Sequence, residues 1–459
     1  MQLATVILAA GKGTRMKSDL PKVLHKVCGV PMICHVLKVA SDIGSDNVIA
    51  VVGFGSDRVA EAIKGQGKVV LQQEQLGTAH ALHQAADSLK DFMGDILVLC
   101  GDTPLVSAQS LKKMVEEHRK SGAFATVLTT ELDNPTGYGR VIRDSAGRME
   151  KIVEQKDASP AELLVNEINT GIYCFKSDGL FQSLAQIKPD NAQGEYYLPD
   201  LIGLYVAQNK VVAAVPGADP VEIMGVNDRC QLAYAQEAMG RKINLQLMMS
   251  GVTILDPSAT YIDAGVAIGR DTVIYPGTII QGDTVIGEGC AIGPFSHIIS
   301  ARISDNVTVR QSVIEDSDVG SDSTIGPYSF IRPGCVLAGK VKVGDFVELK
   351  KVRIGHGSKV PHLSYVGDAV LGEKVNVGAG TITCNYDGEK KWMTIIEDNA
   401  FIGSNANLIA PVNIGKGAVI GAGSTITKDV PEDALGVTRD LQKIIPNWSR
   451  RKKANKTEK

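Results

Sequence analysis

An aliphatic residue returns at every sixth position between residues 262 and 298, and this spacing limits the folds that are open to the chain. The same period resumes over residues 313–349, 354–366 and 396–426. A period of six matches neither a helix, which repeats about every 3.6 residues, nor an isolated strand, which repeats about every two. It predicts a parallel β-helix, in which each coil has three short strands and each strand turns one aliphatic side chain to the axis.

The repeat alone is also compatible with a purely structural role, as a spacer or an oligomerisation rod. Its interruptions argue against that interpretation. Polar residues lie near the breaks, and residues 384–394 form an insertion that a coil of regular length cannot hold. We therefore expect a ligand site at the breaks, formed from Arg332, Lys350, His362, Tyr365, Asn376 and Asn385.

Length and charge bound the class of protein. A chain of 459 residues with 44% apolar content is long enough for two or three domains, each with its own core. The net charge of -3 excludes the broad basic field that is typical of nucleic-acid binding. Only the tail, residues 450–459, is basic, and we expect it to be disordered.

The N-terminal region gives no indication of export or of membrane insertion. The apolar run at residues 4–10 is too short to span a membrane and has the wrong flanks for a signal peptide. The eight cysteines form no CxxC pair and lie mostly in apolar runs, which predicts reduced core residues in a cytoplasmic protein. We therefore expect small-molecule partners, with neither nucleic acid nor a membrane among them.

Strands and helices alternate over the first part of the chain, which predicts an α/β domain with a mostly parallel sheet covered by helices. After Phe124 the pattern changes to longer β segments, so antiparallel strands are expected there. The apolar residues of segment 229–250 have helical spacing. The predicted division is an α/β domain at 1–228, a helical arm at 229–250, a β-helix at 251–447 and the basic tail at 448–459.

The first predicted strand, residues 6–9, runs into a loop that contains Gly11 and Gly13. Glycines at the carboxyl end of a parallel strand let backbone N–H groups approach a phosphate, although a tight turn would use the same residues. The loop is neither a Walker loop nor the GxGxxG dinucleotide motif. Arg15 and Lys22 favour the phosphate site and are candidate catalytic residues, because two cations just after the loop can hold a triphosphate and neutralise charge during transfer.

The same segment resembles the signature of the sugar-phosphate nucleotidyltransferases, or pyrophosphorylases. It reads Leu8-Ala9-Ala10-Gly11-Lys12-Gly13-Thr14-Arg15-Met16, followed by Pro21-Lys22. With the helical arm and the hexapeptide repeat, nearly the whole chain resembles a bacterial family that is both N-acetylglucosamine-1-phosphate uridyltransferase and glucosamine-1-phosphate N-acetyltransferase.

This resemblance implies the architecture and the partners. The expected fold is an α/β Rossmann-like nucleotidyltransferase domain, a helical linker and a C-terminal left-handed parallel β-helix of hexapeptide repeats. The expected substrates are UTP, glucosamine 1-phosphate, N-acetylglucosamine 1-phosphate and acetyl-CoA. The family also implies Mg²⁺ at the uridyltransferase site, a homotrimer, and a role in peptidoglycan and lipopolysaccharide synthesis.

In the first domain, the resemblance implies which residues contact the nucleotide and the sugar. These are Leu8, Ala9, Ala10, Gly11, Lys22, Gln72, Gly77, Thr78, Asp102, Gly139, Glu154, Asn169 and Asn227.

Asp102 follows the apolar run 96–100, so its carboxylate is expected at a strand end. A hard cation that bridges phosphates prefers such oxygen ligands, but a strand-end aspartate is also a common helix cap or turn residue. The resemblance favours the metal, and it names Asp102 and Asn227 as the Mg²⁺ ligands. The chain departs from close relatives at Cys100, where they carry tyrosine, and we expect this to alter packing rather than chemistry.

In the second domain, His362 lies in the sequence Pro361-His362-Leu363-Ser364-Tyr365, which matches the family's catalytic segment. A single histidine on a solenoid is usually a solvated surface residue, but the match makes His362 the candidate general base, with Glu348 close to the chemistry. The sugar phosphate is assigned to Arg332, Lys350, Tyr365, Asn376, Asn385 and Tyr386. Acetyl-CoA is assigned to Ala379, Asn385, Tyr386, Ser404, Ala422 and Arg439.

Three alternatives stay open. A zinc site is the weakest, because His80 and His83 lack a third ligand and the pair His356 and His362 lies on successive sides of a coil. In the second alternative only the first domain is an enzyme, and the β-helix is structural or regulatory. In the third, the chain binds a nucleotide sugar without turnover.

Overall fold

The computed structural model describes residues 2–217, 219–438 and 440–450. The chain forms two compact units, Met1–Lys242 and Ile243–Lys459, and the boundary between them falls inside one long helix.

The strands of the first unit are β1 (Gln2–Ala9), β2 (Lys26–Val27), β3 (Val30–Pro31), β4 (Asn47–Val52), β5 (Lys68–Leu71), β6 (Gly94–Cys100), β7 (Ala125–Glu131), β8 (Arg140–Arg143), β9 (Met149–Val153), β10 (Glu167–Lys176) and β11 (Val212–Pro216). The α-helices are α1 (Met32–Asp42), α2 (Ser56–Ala62), α3 (Thr78–His83), α4 (Ala86–Leu89), α5 (Ala108–Ser121), α6 (Leu180–Leu184), α7 (Asp200–Ala207) and α8 (Arg229–Met249). Short 3₁₀ turns occur at Thr14–Met16, Lys22–Leu24, Glu162–Leu164 and Pro257–Ala259.

The main sheet of the first unit has the strand order β11-β7-β10-β6-β1-β4-β5, and the hairpin β8–β9 is attached to β10. Strand β1 pairs in parallel with β4 and with β6, whereas β10 runs antiparallel between β6 and β7. The expected mixture of parallel and later antiparallel strands is therefore confirmed. Apolar clusters cover both faces of the sheet, which explains why β1, β4 and β6 are nearly continuous apolar runs.

Strand β1 lies where the strand order reverses, with β6 on one side and β4 on the other. Connections leave the sheet in opposite directions at such a point, so a crevice opens outside the carboxyl ends of the strands. This places the predicted glycine loop, which follows β1, at the mouth of that crevice.

The second unit is a left-handed parallel β-helix, as expected. Its strands are β12 (Thr253–Ile254), β13 (Tyr261–Ile262), β14 (Ala267–Ile268), β15 (Val273–Ile274), β16 (Ile279–Gln281), β17 (Val285–Ile286), β18 (Ala291–Ile292), β19 (His297–Ile299), β20 (Arg302–Ile303), β21 (Thr308–Val309), β22 (Val313–Glu315), β23 (Asp318–Val319), β24 (Thr324–Ile325), β25 (Phe330–Ile331), β26 (Val336–Leu337), β27 (Lys342–Asp345), β28 (Glu348–Ile354), β29 (Lys359–His362), β30 (Tyr365–Leu371), β31 (Asn376–Val377), β32 (Ile382–Cys384), β33 (Thr394–Ile396), β34 (Phe401–Ile402), β35 (Asn407–Ile409), β36 (Val412–Ile414), β37 (Val419–Ile420), β38 (Thr425–Ile426) and β39 (Leu435–Gly436).

Each strand pairs with the equivalent strand of the next coil. Val273 in β15 lies beside Ala291 in β18, one coil of 18 residues later, so three hexapeptides make one turn. The inward aliphatic residues form a single continuous core. The small residue of most repeats is buried at a corner, where Thr278 and Thr284 each donate to a backbone carbonyl oxygen at 2.7 Å.

The predicted register is wrong at Val313. Ile314 is the buried residue of β22, and Val313 is only partly covered. The error arises because the coils in this region are shortened: Arg302 in β20 pairs with Asp318 in β23, only 16 residues later. A shift of one residue in a strand moves the side chain from the core to the outer surface.

The insertion connects β32 to β33, and Tyr386 and Lys391 form an antiparallel bridge across it. The expectation that the cysteines are core residues is right for Cys28, Cys174, Cys290 and Cys335. It is wrong for Cys230, which is exposed in the first turn of α8. Within the described part of the chain, none of the helices combines the length and the apolar character needed to cross a membrane.

Candidate active sites

A pocket of about 390 Å³ opens at the carboxyl ends of β1 and β6 in the first unit. It brings together nine of the predicted residues, namely Leu8, Ala9, Ala10, Gly11, Lys22, Gln72, Gly77, Thr78 and Asp102. These residues come from segments far apart in the sequence, and they meet because the strands that carry them end at the same edge of the sheet. Six residues that were not predicted as site residues complete the lining, namely Lys12, Val23, Gln75, Ala81, Cys100 and Glu195.

The ammonium group of Lys22 joins Asp102 to Asn227. Lys22 forms an ion pair with the Asp102 carboxylate and donates to Asn227 Oδ1 at 3.1 Å. The backbone holds these two segments together, because Val226 N donates to the Asp102 carbonyl oxygen at 2.9 Å. A cation thus already lies between the two oxygen-bearing side chains that the sequence predicts as metal ligands.

The glycine loop is shaped around the Lys22 side chain. Gly13 has a φ of +63°, and a Cβ atom at this position would lie 2.6 Å from Lys22 Cβ. The missing side chain therefore lets the stem of Lys22 cross the loop. Arg15, in contrast, is exposed in the 3₁₀ turn Thr14–Met16 and does not line the pocket.

Gln72, a predicted nucleotide contact, is buried, and its amide is held from two sides. Its Nε2 donates to the Gly77 carbonyl oxygen at 3.3 Å and to His80 Nδ1 at 2.9 Å. The amide of Gln84 lies 3.1 Å from the other ring nitrogen of His80. His80 thus orients the pocket wall, and no cluster of three or more potential metal ligands occurs among the described residues.

The predicted sugar contacts lie next to the pocket rather than in its lining. Asn169 N donates to the Gly139 carbonyl oxygen at 2.9 Å, and a Cβ atom on Gly139 would lie 2.9 Å from Glu154 Oε1. Two residues beyond Asn169, a Cβ atom on Gly171 would lie 3.2 Å from Cys100 Sγ, and Cys100 lines the pocket. The structure therefore connects Gly139, Glu154 and Asn169 to the pocket through close contacts.

Two groups in this region have raised pKa values. Burial raises the pKa of Glu154, and the nearby carboxylates of Asp157 and Asp200 raise it further. Burial, with the charge of Asp102, raises the pKa of Cys100 to about 12. The Cys100 thiol is therefore neutral at physiological pH, in keeping with a packing role.

In the second unit, the turn that contains His362 begins a row of stacked turns, which we call the His362 corner (residues 361–364, 378–380, 403–405 and 421–423). Gly380 N donates to the Leu363 carbonyl oxygen at 2.9 Å. In the next coils, Asn405 N donates to Ala379 O at 2.7 Å and Gly423 N donates to Ser404 O at 2.8 Å. The predicted acetyl-CoA residues Ala379, Ser404 and Ala422 therefore follow His362 along one edge of the β-helix.

A polar cluster occupies the face that begins at this corner. Lys350 Nζ lies 3.7 Å from Asp368 Oδ2. Asn385 Nδ2 donates to the same carboxylate oxygen at 2.5 Å and lies 3.4 Å from the Tyr365 hydroxyl. Nearby on the same strand as Lys350, Glu348 Oε1 accepts from Arg332 Nη1 at 2.9 Å.

Not all predicted residues meet in this cluster. Asn376 lies on the preceding face, in β31, and Tyr386 lies in the insertion, where its hydroxyl donates to the Gly388 carbonyl oxygen at 2.5 Å. The insertion leaves the face at the corner opposite to the His362 corner. The acetyl-CoA set is therefore divided, with Asn385 and Tyr386 at one edge and Ala379 at the other. Arg439 lies outside the described residues.

Sequence reasoning did not identify Asp345 or Asp368 as site residues. Asp345 accepts from His362 Nδ1 at 2.6 Å, and Lys391 lies against Lys350. A hydrogen bond with Lys350, together with its positive charge, lowers the pKa of Lys391. The sequence feature that could have indicated Asp368 is its position within the interrupted part of the repeat.

Comparison with known proteins identifies the family. Residues 4–220 match the family model described as nucleotidyl transferase, residues 258–355 that of the GMPPB C-terminal domain, and residues 393–428 that of the hexapeptide repeat of succinyl-transferase. The bifunctional protein GlmU of Pelotomaculum thermopropionicum is 56% identical over 456 residues, which cover 99% of this chain and 100% of that protein. The protein of the same name from Heliobacterium modesticaldum is 52% identical over 447 residues, or 97% of this chain and 98% of that one. The chain therefore belongs to the GlmU family of bifunctional enzymes, with a nucleotidyltransferase domain followed by a hexapeptide acetyltransferase domain.

Proposed function

We propose that the chain makes UDP-N-acetylglucosamine at two separate sites. The β-helix transfers the acetyl group of acetyl-CoA to the amine of glucosamine 1-phosphate. The first unit then transfers uridylyl from UTP to N-acetylglucosamine 1-phosphate and releases pyrophosphate. The observation that carries this proposal is the Lys22 ammonium held between Asp102 and Asn227 beside the glycine loop. A cytoplasmic location and a role in peptidoglycan and lipopolysaccharide synthesis are part of the proposal.

In uridylyl transfer, an oxygen of the sugar phosphate attacks the α-phosphorus of UTP, and the bond to pyrophosphate breaks. Negative charge grows on the phosphate oxygens, so a fixed cation in the pocket lowers the barrier. Lys22 lines the pocket and supplies that cation. Arg15 is exposed next to the loop, and we propose that it binds the phosphates from the solvent side.

Asp102 and Asn227 fit a Mg²⁺ ion, because a carboxylate and an amide oxygen are hard ligands and together they already bind the Lys22 ammonium. Gly225 borders both side chains, since a Cβ atom there would lie 3.7 Å from Asn227 Nδ2 and 3.9 Å from the Asp102 oxygens. When bound, Mg²⁺ supplies positive charge to the phosphate oxygens. Asp102 and Asn227 would hold the ion, and Lys22, which lines the same pocket, would contact the substrate phosphates.

In acetyl transfer, the neutral amine attacks the thioester carbonyl, so the C–N bond forms and the C–S bond breaks. The amine loses a proton, and we assign His362 as the base that accepts it. The neighbouring cations Lys350 and Lys391 suit the sugar phosphate, because an anion between them offsets their mutual repulsion. Arg332 and Glu348 complete this polar face, with Tyr365 and Asn385 for the sugar.

We also propose that the chain forms a homotrimer. Large apolar side chains are exposed along the β-helix, among them Phe295 (70% exposed), Phe346 (59%) and Leu363 (64%). Packing three copies around an axis would cover such surfaces with closed symmetry. It would also allow the divided acetyl-CoA set to meet between two chains. The division into domains 1–228 and 251–447, with the arm 229–250 and the tail 448–459, is part of this proposal.

The test is a pair of variants assayed for both activities, pyrophosphate release and CoA release. Asp102→Asn should lower uridylyl transfer by at least about 10²-fold, because a preorganised electrostatic element is lost, and should leave acetyl transfer intact. His362→Ala should lower acetyl transfer by about 10² to 10⁴-fold and leave uridylyl transfer intact. Product masses from glucosamine 1-phosphate, acetyl-CoA and UTP identify the substrates.

A matched control is Asp133→Asn, which neutralises an exposed carboxylate of the first unit and should keep both activities. Loss of both activities in either folded site variant would contradict the two-site proposal. Full acetyl transfer by His362→Ala would contradict the assignment of the base. The name of the relatives, bifunctional protein, supports two activities over a nucleotidyltransferase with an inactive β-helix.

A further inference from the structure

The turn that contains Asp345, one coil before His362, lies directly against the His362 corner. Asp345 and His362 are partners in the ladder between β27 and β29, and Leu363 N donates to the Asp345 carbonyl oxygen at 2.9 Å. The two segments approach closely, because a Cβ atom on Gly344 would lie 1.8 Å from the Pro361 carbonyl oxygen. No other residue type fits at position 344 without separating the two turns. The backbone therefore fixes the Asp345 side chain beside the His362 ring.

The side chains complete this arrangement. His362 Nδ1 donates to Asp345 Oδ1 at 2.6 Å. The hydrogen bond from His362 lowers the pKa of Asp345, so this carboxyl group is ionised at neutral pH. The other charge that acts on Asp345 is Lys342, on the same strand. A neutral imidazole that donates from Nδ1 has its lone pair on Nε2, so the hydrogen bond selects which nitrogen can accept a proton.

We infer that Asp345 is a positioning residue for acetyl transfer, which holds His362 in the tautomer and orientation that present Nε2 to the amine. This inference rests on the proposed role of His362 as the base. In the reaction, the proton leaves the attacking amine for Nε2, the C–N bond forms, and the thioester C–S bond breaks to release CoA. The ionised carboxylate stabilises the imidazolium that forms, as carboxylate partners of catalytic histidines do. Asp345 itself does not need to take a proton.

Two substitutions at position 345 distinguish the role of the acceptor oxygen from the role of the negative charge. Asp345→Ala removes the acceptor, and we expect kcat for acetyl transfer to fall at least about tenfold with KM for both substrates unchanged. Asp345→Asn keeps an acceptor oxygen and should retain more kcat than Asp345→Ala. Both variants lose the negative charge that favours the imidazolium. The acid limb of the pH profile of kcat/KM should therefore move to lower pH.

Two controls accompany these variants. Asp322→Asn makes the same change at an exposed turn of another coil and should leave the profile unmoved. There the carboxylate accepts from Asn306 Nδ2 at 3.3 Å, its only side-chain partner among the described residues. Uridylyl transfer should be normal in every variant, because its site lies in the first unit, which has a core of its own. Circular dichroism and native mass spectrometry of each variant report on the folding and assembly of the β-helix.

The possible outcomes distinguish the role of Asp345 from the proposed role of His362 as the base. If His362→Ala keeps acetyl transfer, the assignment of the base is wrong, and the role of Asp345 is overturned with it. If His362→Ala is inactive but both Asp345 variants keep the wild-type kcat and pH profile, only the role of Asp345 is overturned. A loss of kcat with an unmoved acid limb would also overturn it, because that result indicates a structural role alone.

Discussion

Gly77 shows how one residue can shape the nucleotide pocket. Its φ of +116° lies in a region that is essentially restricted to glycine, and a Cβ atom would lie 2.5 Å from the Tyr196 carbonyl oxygen. That oxygen cannot move away freely, because it accepts from Ala79 N at 2.9 Å. We predict that Gly77→Ala costs about 1–3 kcal/mol of stability and raises KM for UTP. Calorimetry of the first unit and a pyrophosphate-release assay measure the two effects.

The matched control for this prediction is Gly65→Ala. Gly65 also has a positive φ, +80°, but no atom of the described residues lies within 4 Å of a Cβ atom built there. The difference between the two variants therefore reports the clash with Tyr196 together with the stricter backbone conformation at Gly77. Equal losses of stability, with KM for UTP unchanged in both, would show that this contact does not shape the pocket.

Residues of the glycine loop and Asp102 could be predicted because each lies in a short segment after an apolar strand. Gly11, Lys22 and Asp102 follow strands whose apolar runs are evident in the sequence, and the pocket confirms that they lie together. Glu195 and Asp345 could not be predicted in this way. Glu195 reaches the pocket from a loop between α6 and α7, and Asp345 meets His362 across a coil that is 17 residues long. A period of six does not predict that pairing.

At the scale of elements, the insertion between β32 and β33 is internally braced. Asp387 Oδ1 accepts from the backbone N–H groups of Glu389 and Lys390, both at 2.8 Å, and its Oδ2 accepts from Trp392 Nε1 at 2.6 Å. Lys390 Nζ lies 4.0 Å from the centre of the Trp392 ring. We predict that Asp387→Ala speeds hydrogen exchange across residues 385–393 and lowers acetyl transfer, with uridylyl transfer unchanged. Glu389→Ala is the control, since no described residue bonds to its side chain.

The same brace should depend on pH in a defined direction. Backbone hydrogen bonds from Lys390 and Glu389, and one from the Trp392 ring, lower the pKa of Asp387 to about 2 from its usual 3.8. A lowered pKa means that the brace is fully present above about pH 4 and is lost as the pH falls through about 2. Trp392 fluorescence in a Trp448→Phe background should therefore change between these values. A change centred at or above pH 4 would show that Asp387 is not held in this way.

The strands of the β-helix could be predicted from the six-residue period, except where the coil length changes. The six-residue period predicted the β-helix, because every coil repeats the same requirement for one inward aliphatic residue per side. It failed at Val313, because shortened coils change the register and only the pairing of strands reveals which residue faces inward. The position of the insertion was predicted from its length, but its internal order depends on Asp387 and Trp392, whose contacts have no periodic signal.

At the scale of the molecule, the two units have separate cores. The core of the first unit lies on the two faces of its sheet, and the core of the second is formed by the inward aliphatic residues of the β-helix. Neither active-site assignment uses a residue of the other unit. This organisation explains why an α/β pattern and a hexapeptide pattern could be recognised independently in one sequence. Assembly between chains has no comparable local signal, so it has to be tested by experiment.

The proposed trimer predicts that inactive chains complement each other. The insertion and the His362 corner lie at opposite edges of one face, so we expect the insertion of one chain to complete the site of its neighbour. The partners are His362→Ala and a chain whose residues 387–390 are replaced by Asn-Gly, which closes a hairpin. Each alone should lack acetyl transfer, whereas random refolding together leaves about one site in four with both parts intact. Native mass spectrometry confirms mixed trimers, and mixing without unfolding is the control. Mixed trimers as inactive as their parents would mean that each acetyl site is built within one chain.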